Sequence, residues 1–342
     1  MQGRAPTREA VVGGGTDVDA TFESLVEPLR GELTAHCYRM LGAIHDAEDL
    51  VQETYLRAWR AFHGFEQRSS VRTWMYKIAT NVCLTALESR QRRPLPTGVA
   101  QPSGDPTGRL DSRPEVPWLE PLPDRVVWAG EVSDPATEVV GRESVRLAFV
   151  AALQHLTPLQ RAVLILREVL AWQASEVAAA LGVSTAAVNS ALQRARGQMN
   201  RHMDEGPGRD EAVDPTLGAR ASQLLEDYVA AFESYDVGRI VSLLTDDVVW
   251  EMPPFLSWFR GAEDVGRLIS THCPAEQPGD MRLVATAANG APVFAVYMRD
   301  ADGVHRAFQL QHLSLTSAGV GRVTCFFDTT LFPRFGLPME LS

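Results

Sequence analysis

Residues 156–199 read LTPLQRAVLILREVLAWQASEVAAALGVSTAAVNSALQRARGQM, and this stretch decides how the chain is read. Thr157 before Pro158 is an N-cap followed by proline at the first helical position. Leu159, Val163, Leu166 and Leu170 then recur at steps of three and four, the period of a helix with one buried face. A short second helix over residues 174–181 turns Val177 and Leu181 inward, and Gly182 suits the sharp turn of a helix-turn-helix. Ser184 caps a third helix with Val188, Leu192, Ala195 and Met199 as its buried stripe. Its other side offers Thr185, Ala187, Asn189, Ser190, Gln193, Arg194 and Arg196. From Thr185 to Arg201 there are three arginines and no acid. Small polar groups at a helix start can approach base edges, and arginines further on reach phosphates. A plain helical hairpin with a solvated basic face is the competing reading. The turn glycine, the cap and the one-signed charge favour the DNA reader.

Working toward the N-terminus, residues 45–59, HDAEDLVQETYLRAW, carry Asp46, Glu48, Asp49 and Glu53 at the start of a helix. Asp46 reads as an N-cap, and acids in a first turn suit the helix dipole. Leu50, Val51, Tyr55, Ala58, Trp59 and Phe62 make its apolar stripe. A preceding helix spans 25–44, and HGFEQRSS, residues 63–70, is a loop. In the next helix Val71, Trp74, Met75, Ile78, Val82 and Ala86 face inward. Arg72, Thr73, Tyr76, Lys77, Thr80 and Asn81 point elsewhere, with Arg90, Arg92 and Arg93 behind. Aromatic, basic and amide groups on one helix suit melted DNA. Taken alone, an ordinary amphipathic helix with a solvated face is the commoner explanation.

Composition bounds the rest. The 342 residues suffice for two or three domains. No apolar run approaches the roughly 20 residues of a membrane span, and the N-terminus lacks a signal-type apolar core, so a cytoplasmic protein is expected. Cys37, Cys83, Cys273 and Cys325 lack metal-binding spacing and read as reduced core residues; His272 beside Cys273 is too little for a metal site. The net charge of −11 argues against a general nucleic-acid binder. Of 32 basic residues only Lys77 is a lysine.

The expected organisation is multidomain. Residues 1–20 are a disordered N-terminus, 21–93 a helical module, and 94–134 a Pro/Gly-rich linker, extended and partly polyproline-like. Residues 135–203 form the helix-turn-helix module, 204–217 a second linker, and 218–342 an α+β domain. In that last domain helices precede strands near 281–289, 292–299, 304–315 and 322–328, with a hairpin turn at Ala301–Gly303. Two all-α modules are thus followed by an α+β cone.

In this order, DAEDLVQETYLRAW, SVRTWMYKIATNVCLTALESRQRR and the helix-turn-helix stretch resemble regions 2 and 4 of the extracytoplasmic-function (ECF) sigma factors, small promoter-recognition subunits of bacterial RNA polymerase. The resemblance implies docking of the acidic helix on the β′ clamp helices, with Asp46, Asp49, Gln52 and Glu53 complementing a basic partner. Region 4 would meet the β flap. The loop with His63, Phe65, Glu66 and Arg68 would capture a flipped base of the −10 element. Trp74, Lys77 and Asn81 would complete −10 recognition. Residues 184–196 would enter the major groove of the −35 element, where the family's usual basic residue near Asn189 is absent. Low free affinity for DNA fits the acidic total.

The stretch LLTDDVVWEMPPFLSWFRGAEDV resembles the SnoaL-like family of the NTF2-like superfold, whose cones enclose an apolar pocket. One reading is an enzyme, with Asp246, Asp247, Glu251, His272 and His312 as acid–base candidates; Asp246 and Asp247 more simply end a helix. The other is a built-in regulator, which is what this extension implies in such sigma factors. PWLEPLPD resembles their linker motif, and Trp118 and Leu119 are expected at the seam between modules; a plain spacer is the alternative. The reading is an alternative sigma factor, not an enzyme, needing core polymerase, promoter DNA and no cofactor. The alternative is a stand-alone DNA-binding regulator sensing a small molecule through the C-terminal pocket.

Overall fold

The computed structural model describes residues 15–66, 69–127, 143–205 and 218–341. Helix α1 (Gly15–Val26) begins inside the segment expected to be disordered, whose first 14 residues lie outside the described ones. The helix expected over 25–44 is interrupted by a 3-10 turn at Glu27–Leu29, where Pro28 removes a backbone donor, and resumes as α2 (Arg30–Leu41). Gly42, at φ 79°, caps α2 and turns the chain into α3 (Ile44–Ala61).

Two sequence readings on these helices are corrected. Asp46 is not the N-cap of α3; the cap is Ala43, without a side-chain bond, and Asp46 sits in the first turn. Trp59 is not core: it is 48% exposed, because Ile44, Ala47, Val51, Thr54 and Ala58 already fill the inner face. Helix α4 (Val71–Leu87) is capped by Ser70, whose hydroxyl accepts from Thr73 N. Tyr76 and Thr80, read as outward, are buried against α2. The His36 ring meets the Thr80 hydroxyl at 2.9 Å, and Tyr76 donates to Glu32 at 3.1 Å. Hydrogen-bonded polar groups can face a core that periodicity alone assigns to apolar ones.

The Pro/Gly-rich segment is not an extended spacer. Its first part pairs with the C-terminal domain: Trp258 Nε1 donates to Ala100 O, Arg113 N to Pro254 O, and Leu256 N to Asp111 O. Its second part seats on the α2–α3 corner, where Leu119 N donates to Pro94 O and Glu120 N to Gly42 O. A one-turn helix α5 (Asp124–Val127) follows; residues 128–134 of the expected linker lie outside the described ones. Proline removes donors from sheets and helices but leaves carbonyls that other segments can satisfy.

Helix α6 (Leu147–Leu153) leads to α7 (Pro158–Leu164), which opens with a complete capping box between Thr157 and Gln160 and ends in a π-turn at Ile165–Val169. Helix α8 (Ala174–Leu181), the turn at Gly182 (φ 66°) and α9 (Thr185–Glu205) complete the helix-turn-helix.

The C-terminal domain has α10 (Gly218–Glu233), α11 (Val237–Ser242), strand β1 (Leu244–Glu251), β2 (Trp258–Arg260), α12 (Ala262–His272), β3 (Met281–Ala288), β4 (Ala291–Arg299), β5 (His305–Leu315), β6 (Val320–Phe326) and β7 (Glu340–Leu341). The sheet order is β2-β1-β6-β5-β4-β3, with β7 on β5; only the β1–β6 pair is parallel among the described pairings. Asp246 and Asp247 belong to β1 and do not end a helix.

Both faces of this sheet are buried. Phe294, Val296, Leu313, Val323 and Cys325 pack under the helices with Tyr228, Phe232 and Leu268. Val293, Ala295, Tyr297, Leu310 and Phe326 join Leu331, Phe332 and Phe335 in the core shared with the helical modules. The unbroken apolar run of β4, APVFAVYM, has this cause: two buried faces erase the alternation of a half-exposed strand. Among the described residues no helix is long and apolar enough to cross a membrane.

At Gly42 an added Cβ would lie 2.7 Å from Leu119 Cδ1, at a φ that disfavours side chains. Gly42→Ala is expected to cost about 1–3 kcal/mol and to unseat the linker. Denaturant unfolding and hydrogen exchange at residues 118–122 check this; native exchange there would show that the corner tolerates the methyl group.

Candidate nucleic-acid and polymerase interfaces

The acids of α3 divide into two sets. Asp46 is neutralised internally by Arg90 at 2.5 Å and Arg93 at 2.6 Å. Glu48 is paired with Arg334, which the C-terminal domain brings over from the turn Thr329–Phe335. Asp49 and Gln52 point to solvent, and Glu53 is half-exposed with Arg57 at 2.6 Å. One turn further on, Leu56 and Trp59 are 51% and 48% exposed. Asp49, Gln52, Glu53 and Leu56 share one helix face by spacing. An open hollow of about 320 Å³ beside Trp59 is lined by Phe22, Val26, Arg30 and Tyr55 among others. Leu56 was not singled out in the sequence: it falls outside the apolar stripe read on this helix, and a lone apolar residue on an outer face is ordinary.

In the loop after α3, His63 and Glu66 are exposed, while Arg68 lies outside the described residues. Phe65 stacks on Trp74 with centroids 4.7 Å apart, and Trp74 also leans on Phe62. Lys77 and Asn81 lie one turn apart on the exposed side of α4. Phe62, Phe65 and Trp74 thus form one aromatic cluster, with Trp74 already holding aromatic partners.

On α9 the expected face is open to solvent. Ser184 caps it, its hydroxyl accepting from Ala187 N at 3.1 Å, and Ala187 is half-buried. Arg194 donates to Ser190 at 2.6 Å. Arg196 turns back to Glu168 at 2.5 Å, so it does not extend from the helix. Thr185, Asn189 and Gln193 are exposed, and among the described residues no hydrogen bond engages their side chains.

The residue that joins the modules is Asn289, which sequence reasoning did not single out. It sits at φ 56° on the two-residue turn between β3 and β4 and is 1% exposed. Its Oδ1 accepts from Leu122 N at 2.9 Å; its Nδ2 donates to Tyr38 Oη at 3.0 Å and to Val145 O at 2.5 Å. Its backbone N donates to Leu122 O, and Gly290 N donates to Asp124. One carboxamide therefore bonds to α2, to the linker and to the segment before α6. The available signal was Asn-Gly between two apolar runs, which marks a hairpin tip but not what the tip touches.

The linker residues Trp118 and Leu119 are 9% and 0% exposed. Trp118 Nε1 donates to Arg113 O, and Arg93 donates to Trp118 O. Beside them the Glu120 carboxylate meets the His45 ring at 2.9 Å, and this bond raises the His45 pKa.

The acid–base candidates do not gather in the cone. Glu251 is fully buried on the face away from α10 and is held by Arg322 at 2.9 Å, Thr324 at 3.0 Å and Thr97 N at 3.3 Å. His312 lies on that same face, opposite Val293 and Thr324. Asp246 and Asp247 are exposed, and His272 ends α12. The interior is occupied by Tyr228, bonded to Gln311 at 2.9 Å, and by stacked rings such as Phe232 on Trp250. Among the described residues no three His, Cys, Asp or Glu side chains are grouped to hold a metal.

Where the two helical modules meet, Arg92 donates to His155 Nδ1 at 3.1 Å, and the His155 ring lies on His202 with centroids 3.6 Å apart. Burial, then Arg92, His202 and Arg161, push His155 down to about 4. On separation the ring loses Arg92 and the burial that the first module provides, while His202 and Arg161 stay beside it in its own module, so its pKa rises from about 4 toward its ordinary value of about 6.5. The packed state is therefore fully favoured above pH 6.5 and loses ground as pH falls from about 6.5 toward 4. Small-angle scattering at pH 7.5 and 5.5 is expected to show expansion at the lower pH, reduced in His155→Gln. Identical expansion in that variant would assign the effect to other groups.

Comparison with known proteins identifies the three modules. Residues 25–93 match the model for sigma-70 region 2, 146–199 that for sigma-70 region 4, and 225–324 that for the SnoaL-like domain. The ECF RNA polymerase sigma factor SigG of Mycobacterium tuberculosis (strain H37Rv) is 57% identical over 320 residues, covering 94% of this chain and 85% of that one. SigJ of the same organism is 29% identical over 255 residues, covering 71% of this chain and 70% of the relative. The crystal structure of M. tuberculosis SigJ shares the fold, with a TM-score of 0.58 at 24% identity over 92% of this chain and 99% of that one.

Proposed function

We propose, for a chain that belongs to the ECF RNA polymerase sigma factors, a division of labour in which the helical modules direct initiation and the C-terminal domain holds them closed. The α3 face of Asp49, Gln52, Glu53, Leu56 and Trp59 docks on the β′ clamp helices. The acids steer the encounter, and the two apolar side chains supply the buried anchor. Asp46 acts indirectly, by holding Arg90 and Arg93 at the root of the linker. His63, Phe65, Glu66, Arg68, Trp74, Lys77 and Asn81 serve the −10 element. Helix α9 serves the −35 element, and region 4 meets the β flap. The protein works in the cytoplasm, where polymerase and promoters are. The cone regulates and does not catalyse, which is supported by Glu251 and His312 facing out of it.

Promoter geometry supports closure. The −10 and −35 elements lie about 25 base pairs apart, or roughly 85 Å at 3.4 Å per pair. Here helices α4 and α8, from the two DNA-reading modules, are in contact. The packed molecule is thus too short for a promoter. Fully extended, the roughly 50 residues between the modules reach about 165 Å, so the linker spans the promoter once it leaves its seat.

The observation that carries this reading is the carboxamide of Asn289, bonded at once to both modules and the linker. Asn289→Gly keeps the backbone conformation and removes all three side-chain bonds. It is expected to destabilise the packed state by about 2–4 kcal/mol and to raise initiation several-fold with purified core polymerase. Initiation and scattering profile both unchanged would refute the latch.

For docking, Asp49→Arg with Glu53→Arg is expected to slow association with core polymerase, more so at low salt. Trp59→Ala is expected to speed dissociation. Native rates in both variants, with native helicity, would move the docking face elsewhere.

A further inference from the structure

The recognition helix carries a row whose chemistry narrows what it reads. Thr185, Asn189 and Gln193 are spaced by four, so they stand above one another on one line of α9. All three are exposed. Other polar groups in the first half of this helix are committed elsewhere. Ser184 caps the helix, Ser190 accepts from Arg194, and Arg196 is drawn to Glu168. Arg201 donates to its own helix at Gly197 O.

Side-chain chemistry then separates the bases. A bidentate arginine or lysine reads guanine through O6 and N7, and no such group stands in the row. A carboxamide reads adenine, accepting from N6 and donating to N7. The row holds two carboxamides. Helical rise puts them about 6 Å apart, close to two base-pair steps. The Thr185 methyl group at the head of the row suits contact with a thymine methyl. We propose that Asn189 and Gln193 each read an adenine, about two base pairs apart, so that the discriminating positions of this protein's −35 element are A·T pairs. This rests on α9 lying in the major groove of that element. Arg194, one residue beyond the row and about 100° around the helix, serves a phosphate and contributes affinity without sequence.

The test uses holoenzyme assembled from the full chain and purified core polymerase. A promoter is first mapped by transcription from genomic fragments, and its −35 region is then randomised. Initiated transcripts are counted for the wild type, Asn189→Ala and Gln193→Ala. Both variants keep a strong helix former on an exposed face, and circular dichroism verifies helicity. The wild type is expected to favour adenine over guanine at two positions on one strand, by roughly five- to a hundredfold each. Asn189→Ala should erase the preference at one position and Gln193→Ala at the other, with the salt dependence of initiation unchanged. Guanine preferred at the positions these variants alter would overturn the assignment. So would variants that lower initiation equally on all sequences. A wild-type library with no preference anywhere in the window would instead overturn the placement of α9, and the adenine assignment with it.

Discussion

The arrangement of this molecule depends on satisfying one buried hairpin tip. Asn289 places a carboxamide where a backbone N–H, a backbone C=O and a phenolic oxygen from three different segments converge. An amide offers both an acceptor and two donors on one short stem, which few side chains do. Each partner is buried, so an unmade bond there costs more than a made one gains. The three segments are therefore held together or released together. Tyr38 extends the cluster by donating to Glu120 O, beside the Glu120–His45 pair and the Leu119–Gly42 contact. The corner between α2 and α3 is thus read at once by the linker and the C-terminal domain.

The acidic start of α3 shows how one charge cluster can serve inside and outside the same molecule. Asp46 and Glu48 face cations supplied by the linker root and the C-terminal turn, whereas Asp49 faces water. Removing Arg334 from Glu48 when the domains separate would enlarge the negative field beside the proposed docking face. Closing and docking would then compete through electrostatics as well as through shape. The two histidine contacts respond to protons in opposite senses. His45 is held protonated-favouring by Glu120, and His155 is held neutral by burial and by Arg92. Acidification tightens the linker clamp while it loosens the contact between the helical modules.

The C-terminal sheet is covered on both sides. One side packs under its own helices and aromatic rings, and the other is buried against the helical modules. Glu251, a carboxylate on that second face, is spent on Arg322, Thr324 and the linker at Thr97. A group in that position ties segments together.

Local features were legible from the sequence by itself: the N-cap at Thr157, the glycine turn at Gly182, the stripe of α9 and four strands of the last domain, β3 to β6, within two residues. Caps, turns and periodicity act over a few residues, so their physics is written in neighbouring positions. The motifs were also enough to place the chain among the sigma factors. Tertiary structure alone decided that Trp59 and Leu56 are outside, that Tyr76 and Thr80 are inside, and which groups hold the linker in its seat. It alone decided that Asn289 joins the modules and that Glu251 faces away from the cone. Those outcomes depend on which faces meet across more than a hundred residues of chain, and helical or strand periodicity says that a face is apolar without saying what will cover it.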